Sequence, residues 1–253
     1  MSSIGTGYDL SASQFSPDGQ VFQIDYASKA VEKSGTVIGV RGKDGVVLAV
    51  EKIVTSPLYE EDAGTRIFTI DKNIGLALAG LLADGRYIVD IARQEAANYR
   101  QQFDRTIPLK LLNERISAYI HAYTLYSAVR PFGVTVILSA WDEDQGAQLY
   151  KIEPSGHSYG YFGCASGKAK QQAKTEMEKF KFVEMNTEDL VQNAGKIIYQ
   201  VHDELKDKDF RFEMSLVSKE TNGVHRLNPA PWHAMAIEAG QAAKREDDSD
   251  NEI

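Results

Sequence analysis

The sequence predicts an α+β fold, a four-layer α/β/β/α sandwich, and three observations carry that prediction. Short β-rich runs come in pairs separated by turn residues, stretches with helical apolar spacing also come in pairs, and the two kinds of block alternate along the chain. Single strands alternating with single helices would argue for a parallel sheet. Pairs argue instead for two antiparallel sheets, each covered by helices on its outer face.

The elements follow in order. Ser16-Pro17-Asp18 supplies a capping hydroxyl and a proline suited to a first turn, with Val21, Ile24, Ala27 and Val31 at helical spacing, and predicts a helix over 18–33. Strands are expected at 36–40 and 45–50 around the turn Lys43-Asp44-Gly45, and at 67–70 and 75–79 around Asp71-Lys72-Asn73. Ile88, Ala92, Ala96, Tyr99 and Phe103 mark an amphipathic helix over 81–103. Pro108 opens another, with Leu112, Ile116, Tyr119, Tyr123 and Tyr126 on one face, and the two are expected to pack as an antiparallel pair.

After Arg130-Pro131-Phe132-Gly133, strands are predicted at 134–140, 149–152 and 158–163, with Pro154-Ser155-Gly156 as a turn. Helices return over 167–181, with Ala169, Ala173, Met177 and Phe180 inward, and over 187–205, with Leu190, Ala194, Ile197, Val201 and Leu205 inward. A strand at 211–218 and a weak C-terminal helix complete the series. No repeat, linker or shift of composition precedes residue 240, so the expectation is one domain over 1–240 and a solvated acidic tail over 241–253.

The chain has 253 residues, 43% hydrophobic and 25% charged, which is enough for a large buried core. No stretch reaches the about 18 apolar residues of a membrane span, and the start MSSIGTGYDLSAS has neither a basic leader nor an apolar segment, so an intracellular protein is expected. A net charge of -8 argues against nucleic acid as a partner. The single cysteine, Cys164, excludes an internal disulfide and a zinc-finger ligand set.

The chemistry the sequence offers is sparse. Gly163-Cys164-Ala165-Ser166-Gly167-Lys168 resembles a phosphate loop but is one residue short between its glycines and has Ala169 where a hydroxyl is needed, so it reads as a strand-to-helix turn. The lysines at 168, 170, 174, 179 and 181 read as a solvated helix face. Ser155 and Ser166 lack a nucleophile-elbow setting. His121, His157, His202, His225 and His233 form no His-Glu-x-x-His pair, so neither a metal nor another cofactor is expected. Cys164, between Gly163 and Ala165 in an apolar strand, reads as a core residue. Gly35-Thr36 is the enzymatic candidate, because cleavage there would expose a threonine whose own amine can serve as base; an internal Thr36 cannot act so.

One long ordered motif remains: Tyr8-Asp9, Phe15-Ser16-Pro17-Asp18-Gly19, Gln23-x-Asp25-Tyr26-Ala27 and Ala30-Val31. It resembles the N-terminal signature of proteasome alpha subunits. Further matches are Asp44 to Ala49 with Glu51-Lys52, Ala79-Gly80-Leu81-x-Ala83-Asp84, Arg130-Pro131-Phe132-Gly133 and Pro154-Ser155-Gly156, and they carry the resemblance to about residue 220. The family fold is the α/β/β/α sandwich of the N-terminal-nucleophile hydrolases, in agreement with the order of elements.

The resemblance implies a non-catalytic subunit. Counting the catalytic spacing of the beta relatives from Thr36 lands on Lys52 and Phe68; aligning on the Asp44-Gly45 turn puts Gly35 at the nucleophile, Glu51 at the acid and, with a gap allowed, Arg66 near the lysine. Glycine has no nucleophile, and a guanidinium does not exchange protons near neutral pH. Expected partners are other alpha subunits in a heteroheptameric ring, the beta-subunit ring, and regulatory particles (an ATPase cap and other activators), with no membrane, and the expected location is cytoplasm and nucleus.

Tyr8, Asp9, Pro17 and Tyr26 match the cluster that supports the gate in the family, while Leu10, Gln20 and Asp25 depart from its commoner residues. Gly35, Arg66, Gly80 and Leu81 match the pocket that receives activator C-termini, where a guanidinium suits a terminal carboxylate. Ser249, followed by Asp250 and Glu252, fits an acid-directed phosphorylation site. The competing readings are a self-processed threonine hydrolase beginning at Thr36 and a free-standing binding module.

Overall fold

The computed structural model describes residues 7–60, 62–204 and 210–251, the side chains of 247–251 excepted. Two five-stranded sheets, antiparallel throughout, form its centre. The first contains β1 (Val37–Arg41), β2 (Gly45–Ile53), β8 (Gly163–Ser166), β9 (Phe210–Ser218) and β10 (Arg226–Leu227), in the order β10-β9-β2-β1-β8. The second contains β3 (Ile67–Asp71), β4 (Ile74–Gly80), β5 (Val134–Asp142), β6 (Gly146–Ile152) and β7 (Ser158–Gly160), in chain order.

Strand periodicity divides the buried side chains among three interfaces, which is the physical content of four layers. Along β2, Val46, Leu48 and Val50 meet Ile67, Ala77, Ile137 and Leu149 between the sheets, whereas Val47 and Ala49 face helices α4 (Lys170–Met177), α5 (Thr187–Val201) and α6 (Ala230–Asn251). Along β4, Ile74, Leu76 and Leu78 face α2 (Leu82–Phe103) and α3 (Leu109–Ala122), and Ala77 and Ala79 face inward. Central strands buried on both faces read as continuous apolar runs, which is why Gly45 to Val50 shows no polar alternation. The remaining helix, α1 (Phe22–Glu32), contributes Val31 to the central interface.

Several boundaries differ from expectation, each for a local reason. α1 starts at Phe22, not at residue 18: Gly19 takes a left-handed φ of +76°, and Ser16 closes a turn by bonding the Gln20 N–H through its hydroxyl. The strand expected over 158–163 is two strands in different sheets, because after pairing with β6 the chain crosses over and Gly163 to Ser166 pair with β1. The α3 helix ends at Ala122, so Tyr126 is exposed beyond it.

The α5 helix stops at Val201 because His202 turns to an extended conformation and reaches Glu51; Leu205, expected on its inner face, lies outside the described residues. Asn186 caps its start by accepting from Asp189 N–H. The α6 helix continues past the expected boundary at residue 240 to Asn251, with Ala243 buried. Ser249 falls on its final turns, where side chains lie outside the described residues.

Candidate functional site

Gly35 precedes β1, and the β1–β2 pairing brings Thr36 opposite Glu51. The Thr36 N–H donates to Glu51 Oε2 at 3.0 Å, so the nitrogen that an N-terminal nucleophile would use as base is here an amide holding a carboxylate. Glu51 is 0% exposed, and its other oxygen meets His202 Nδ1 at 2.7 Å and Lys168 Nζ at 3.0 Å. A Cβ on Gly35 would lie 2.0 Å from the Glu51 carbonyl oxygen, so no side chain fits there without moving backbone.

The glycine-lysine run at 163–168 is thereby explained. Gly163 to Ser166 are strand, Gly167 packs on the Gly35 carbonyl, and the Lys168 ammonium meets Glu51. Cys164 lies between the sheets, where burial pushes its thiol up to about 12 and leaves it an unreactive core residue. Among the described residues no group of His, Cys, Asp and Glu is placed to hold a metal ion, and no helix is long and apolar enough to cross a membrane.

Beside Gly35 lies a cleft of about 550 Å³ whose cationic lining is Lys33, Lys52, Arg66 and Arg211, faced by Glu60. Arg66 stands at the entry to β3 and its Nη1 donates to the Gly80 carbonyl at 2.8 Å. Burial lowers its guanidinium pKa and the nearby Glu213 carboxylate opposes that shift. Of the four pocket residues expected from sequence, Gly35 and Arg66 line the cleft and Gly80 joins through its carbonyl. Leu81 is 46% exposed outside the lining, where Leu82 stands instead.

What sets this turn was not foreseen. Gly80 has a φ of +114°, with the Gly133 carbonyl 2.1 Å from where its Cβ would sit, and the Leu81 N–H donates to that carbonyl. Asp84 accepts from both terminal nitrogens of Arg130, at 2.6 and 2.8 Å, and from Gly133 N–H at 3.0 Å. The Arg130 bond holds the Asp84 carboxyl below the usual carboxylate range, against its partial burial. Two sequence motifs 46 residues apart are therefore one clamp that holds Gly133 beside the Gly80 turn.

The N-terminal segment forms a separate cluster. Tyr26 Oη donates to Asp9 Oδ2 at 3.1 Å, and the Gln23 amide donates to the Asp9 carbonyl. Tyr26 also stacks on Phe22 and lies under Lys29 Nζ, 5.6 Å from its ring centre. Tyr8 is half-exposed and bonds none of these residues, and Pro17 lies in the Ser16–Gln20 turn. Structure thus joins Asp9 to Tyr26 directly, and Gln23, part of the same sequence motif but not among the four expected gate residues, joins them.

Comparison with known proteins follows the same division of the chain. Residues 31–217 match the family described as "Proteasome subunit", and residues 8–30 match the N-terminal signature of A-type proteasome subunits. "Proteasome subunit alpha type-3" of Drosophila melanogaster is 72% identical over 252 residues, covering 100% of this chain and 99% of that protein. The protein of the same name from Dictyostelium discoideum is 49% identical over 93% of this chain and 95% of its own length. "Probable proteasome subunit alpha type-7" of Saccharomyces cerevisiae is 45% identical over 98% of this chain and 87% of its own.

Proposed function

Because this chain belongs to the proteasome subunit family and carries the alpha N-terminal signature, we propose that it uses the catalytic position of that fold as a docking cleft and its N-terminal segment as part of a gate. The chain is a non-catalytic alpha-ring subunit of the 20S proteasome core, most like alpha type-3, and takes its place in a ring with other alpha subunits and against the beta subunits. Its ring works in protein degradation by admitting substrate, not by cleaving it.

The observation that carries the reading is the Gly35 environment. Glycine occupies the nucleophile position, the next amide is committed to Glu51, and the space for a side chain is taken by the Glu51 carbonyl. The hydrolase reading needs Thr36 freed as an N-terminus, whereas its nitrogen is here a peptide amide, which has no lone pair to serve as base. Gly35, Arg66 and Gly80, with Leu81 at the rim, receive the C-terminal carboxylate of a regulatory particle, which the fork of Arg66 is suited to bind.

Tyr8, Asp9, Pro17 and Tyr26 support the gate conformation. The Tyr26–Asp9 bond is the contact that favours this role, because a hydrogen bond for which water competes suits a reversible segment. Residues 1–240 act as one domain, the acidic end carries a phosphorylation site at Ser249, and the particle resides in cytoplasm and nucleus. Native mass spectrometry of the endogenous complex, with intact mass of this chain, tests the reading. A particle of four stacked rings releasing the chain with residues 1–35 intact supports it, and a small species beginning at Thr36 overturns it.

A further inference from the structure

Glu213 is a carboxylate in a place that ordinarily holds apolar side chains. On β9 it pairs in register with Val50 of β2 and shares its face with Ser215 and Val217, the face directed at the other sheet. Burial there raises its carboxyl pKa, opposed by the hydrogen bonds it accepts from the chain. Those bonds come from the opposite sheet: Arg66 N–H donates to Oε2 at 3.1 Å and Ile67 N–H to Oε1 at 3.4 Å.

The two amides flank the Arg66 Cα, so holding both peptide planes fixes the direction of its Cα–Cβ bond. At its other end the same side chain is pinned by the Gly80 carbonyl. Arg66 directly precedes β3, an edge strand of its sheet, and Glu213 supplies these two amides with an acceptor from across the sandwich.

We propose that Glu213 is a positioning residue that aims Arg66 into the cleft and thereby sets the cleft's preference for a free C-terminal carboxylate. This rests on the docking reading of the cleft given above. The geometry separates positioning from simple charge. Removing the negative charge of Glu213 makes the surroundings of Arg66 more positive, so electrostatics alone would strengthen carboxylate binding; loss of aim would weaken the preference.

The test uses assembled core particles carrying Arg66→Ala, Glu213→Gln or Glu213→Asp in this chain. The probe is a short apolar photo-crosslinking peptide with a free C-terminal carboxylate, compared with the same peptide amidated, and labelling of this chain is quantified by intact mass. Wild type should favour the acid by about tenfold, as expected for a charge-assisted pair, and R66A should abolish the preference. A Gln side chain has one acceptor and turns donors toward an N–H, so E213Q should cut the preference by about fivefold with little change for the amide.

E213D keeps the charge on a shorter arm and should fall between; it carries the test if E213Q does not assemble. R66A without effect defeats the docking reading itself. R66A abolishing the preference while E213Q or E213D leaves it at the wild-type level defeats the role of Glu213 alone.

Discussion

The N-terminal segment and the cleft behind Gly35 both depend on a carboxylate, yet Asp9 and Glu51 are held in opposite ways. Asp9 bonds Tyr26, which is 38% exposed, and its other described contact is from Gln23 to its backbone carbonyl. Glu51 is fully buried and bonded to an amide, a histidine and a lysine from three separate parts of the chain. Water competes for the first set of bonds and is excluded from the second, so the same chemistry gives a latch in one place and a fixed brace in the other.

The brace yields the largest effect by which that contrast can be broken. Glu51→Ala removes the buried acceptor shared by the Thr36 N–H, His202 and Lys168 and should cost about 3–5 kcal/mol, read as loss of assembled particle or a lower denaturation midpoint. A cost below about 1 kcal/mol would place Glu51 in the same class as Asp9 and remove the distinction.

Acid tests the interior in a second way. His225 is buried, donates its backbone N–H to the Lys72 carbonyl and bonds Thr69 at 2.8 Å, and burial lowers its pKa to about 4. The unfolded chain takes up this proton below about pH 6.5 while the folded chain refuses it, so the contribution is complete above pH 6.5 and is lost as pH falls toward 4. The loss is on the order of 3 kcal/mol over that window. Denaturation at pH 7 and pH 5 should show a smaller drop for His225→Gln than for wild type, and parallel drops would refute this.

Gly35→Ala comes next, at about 1–3 kcal/mol, because the new methyl must displace the Glu51 carbonyl. The readout is thermal stability of the particle, and a neutral outcome would mean that the backbone there yields as easily as the N-terminal segment does. Tyr26→Phe should have the smallest effect on stability, leaving assembly intact while raising the particle's basal peptidase activity severalfold. Lost assembly would show that the Tyr26–Asp9 contact is a brace and not a latch.

Much of this was legible in the sequence because it depends on patterns within a window of a few residues. The hairpin around Asp44-Gly45, the stripe Ile88, Ala92, Ala96, Tyr99 and the glycine at position 35 each follow from local periodicity or from a missing side chain. The split of 158–163 was hidden, since strand spacing on either side of Tyr161 is the same whichever sheet each half joins. The end of α5 was hidden for a related reason: His202 continues the helical pattern, and only the buried Glu51, 151 residues away, draws it out.

The sequence by itself determined the order of paired strands and paired helices that builds the four layers, because apolar periods commit strand and helix faces. Tertiary structure alone decided which charged side chains serve the site. Glu213 looks like an ordinary strand charge in the sequence, and Glu51, Asp84 and Arg130 stand in motifs that do not name their partners; folding removes water and sets those partners within hydrogen-bond reach.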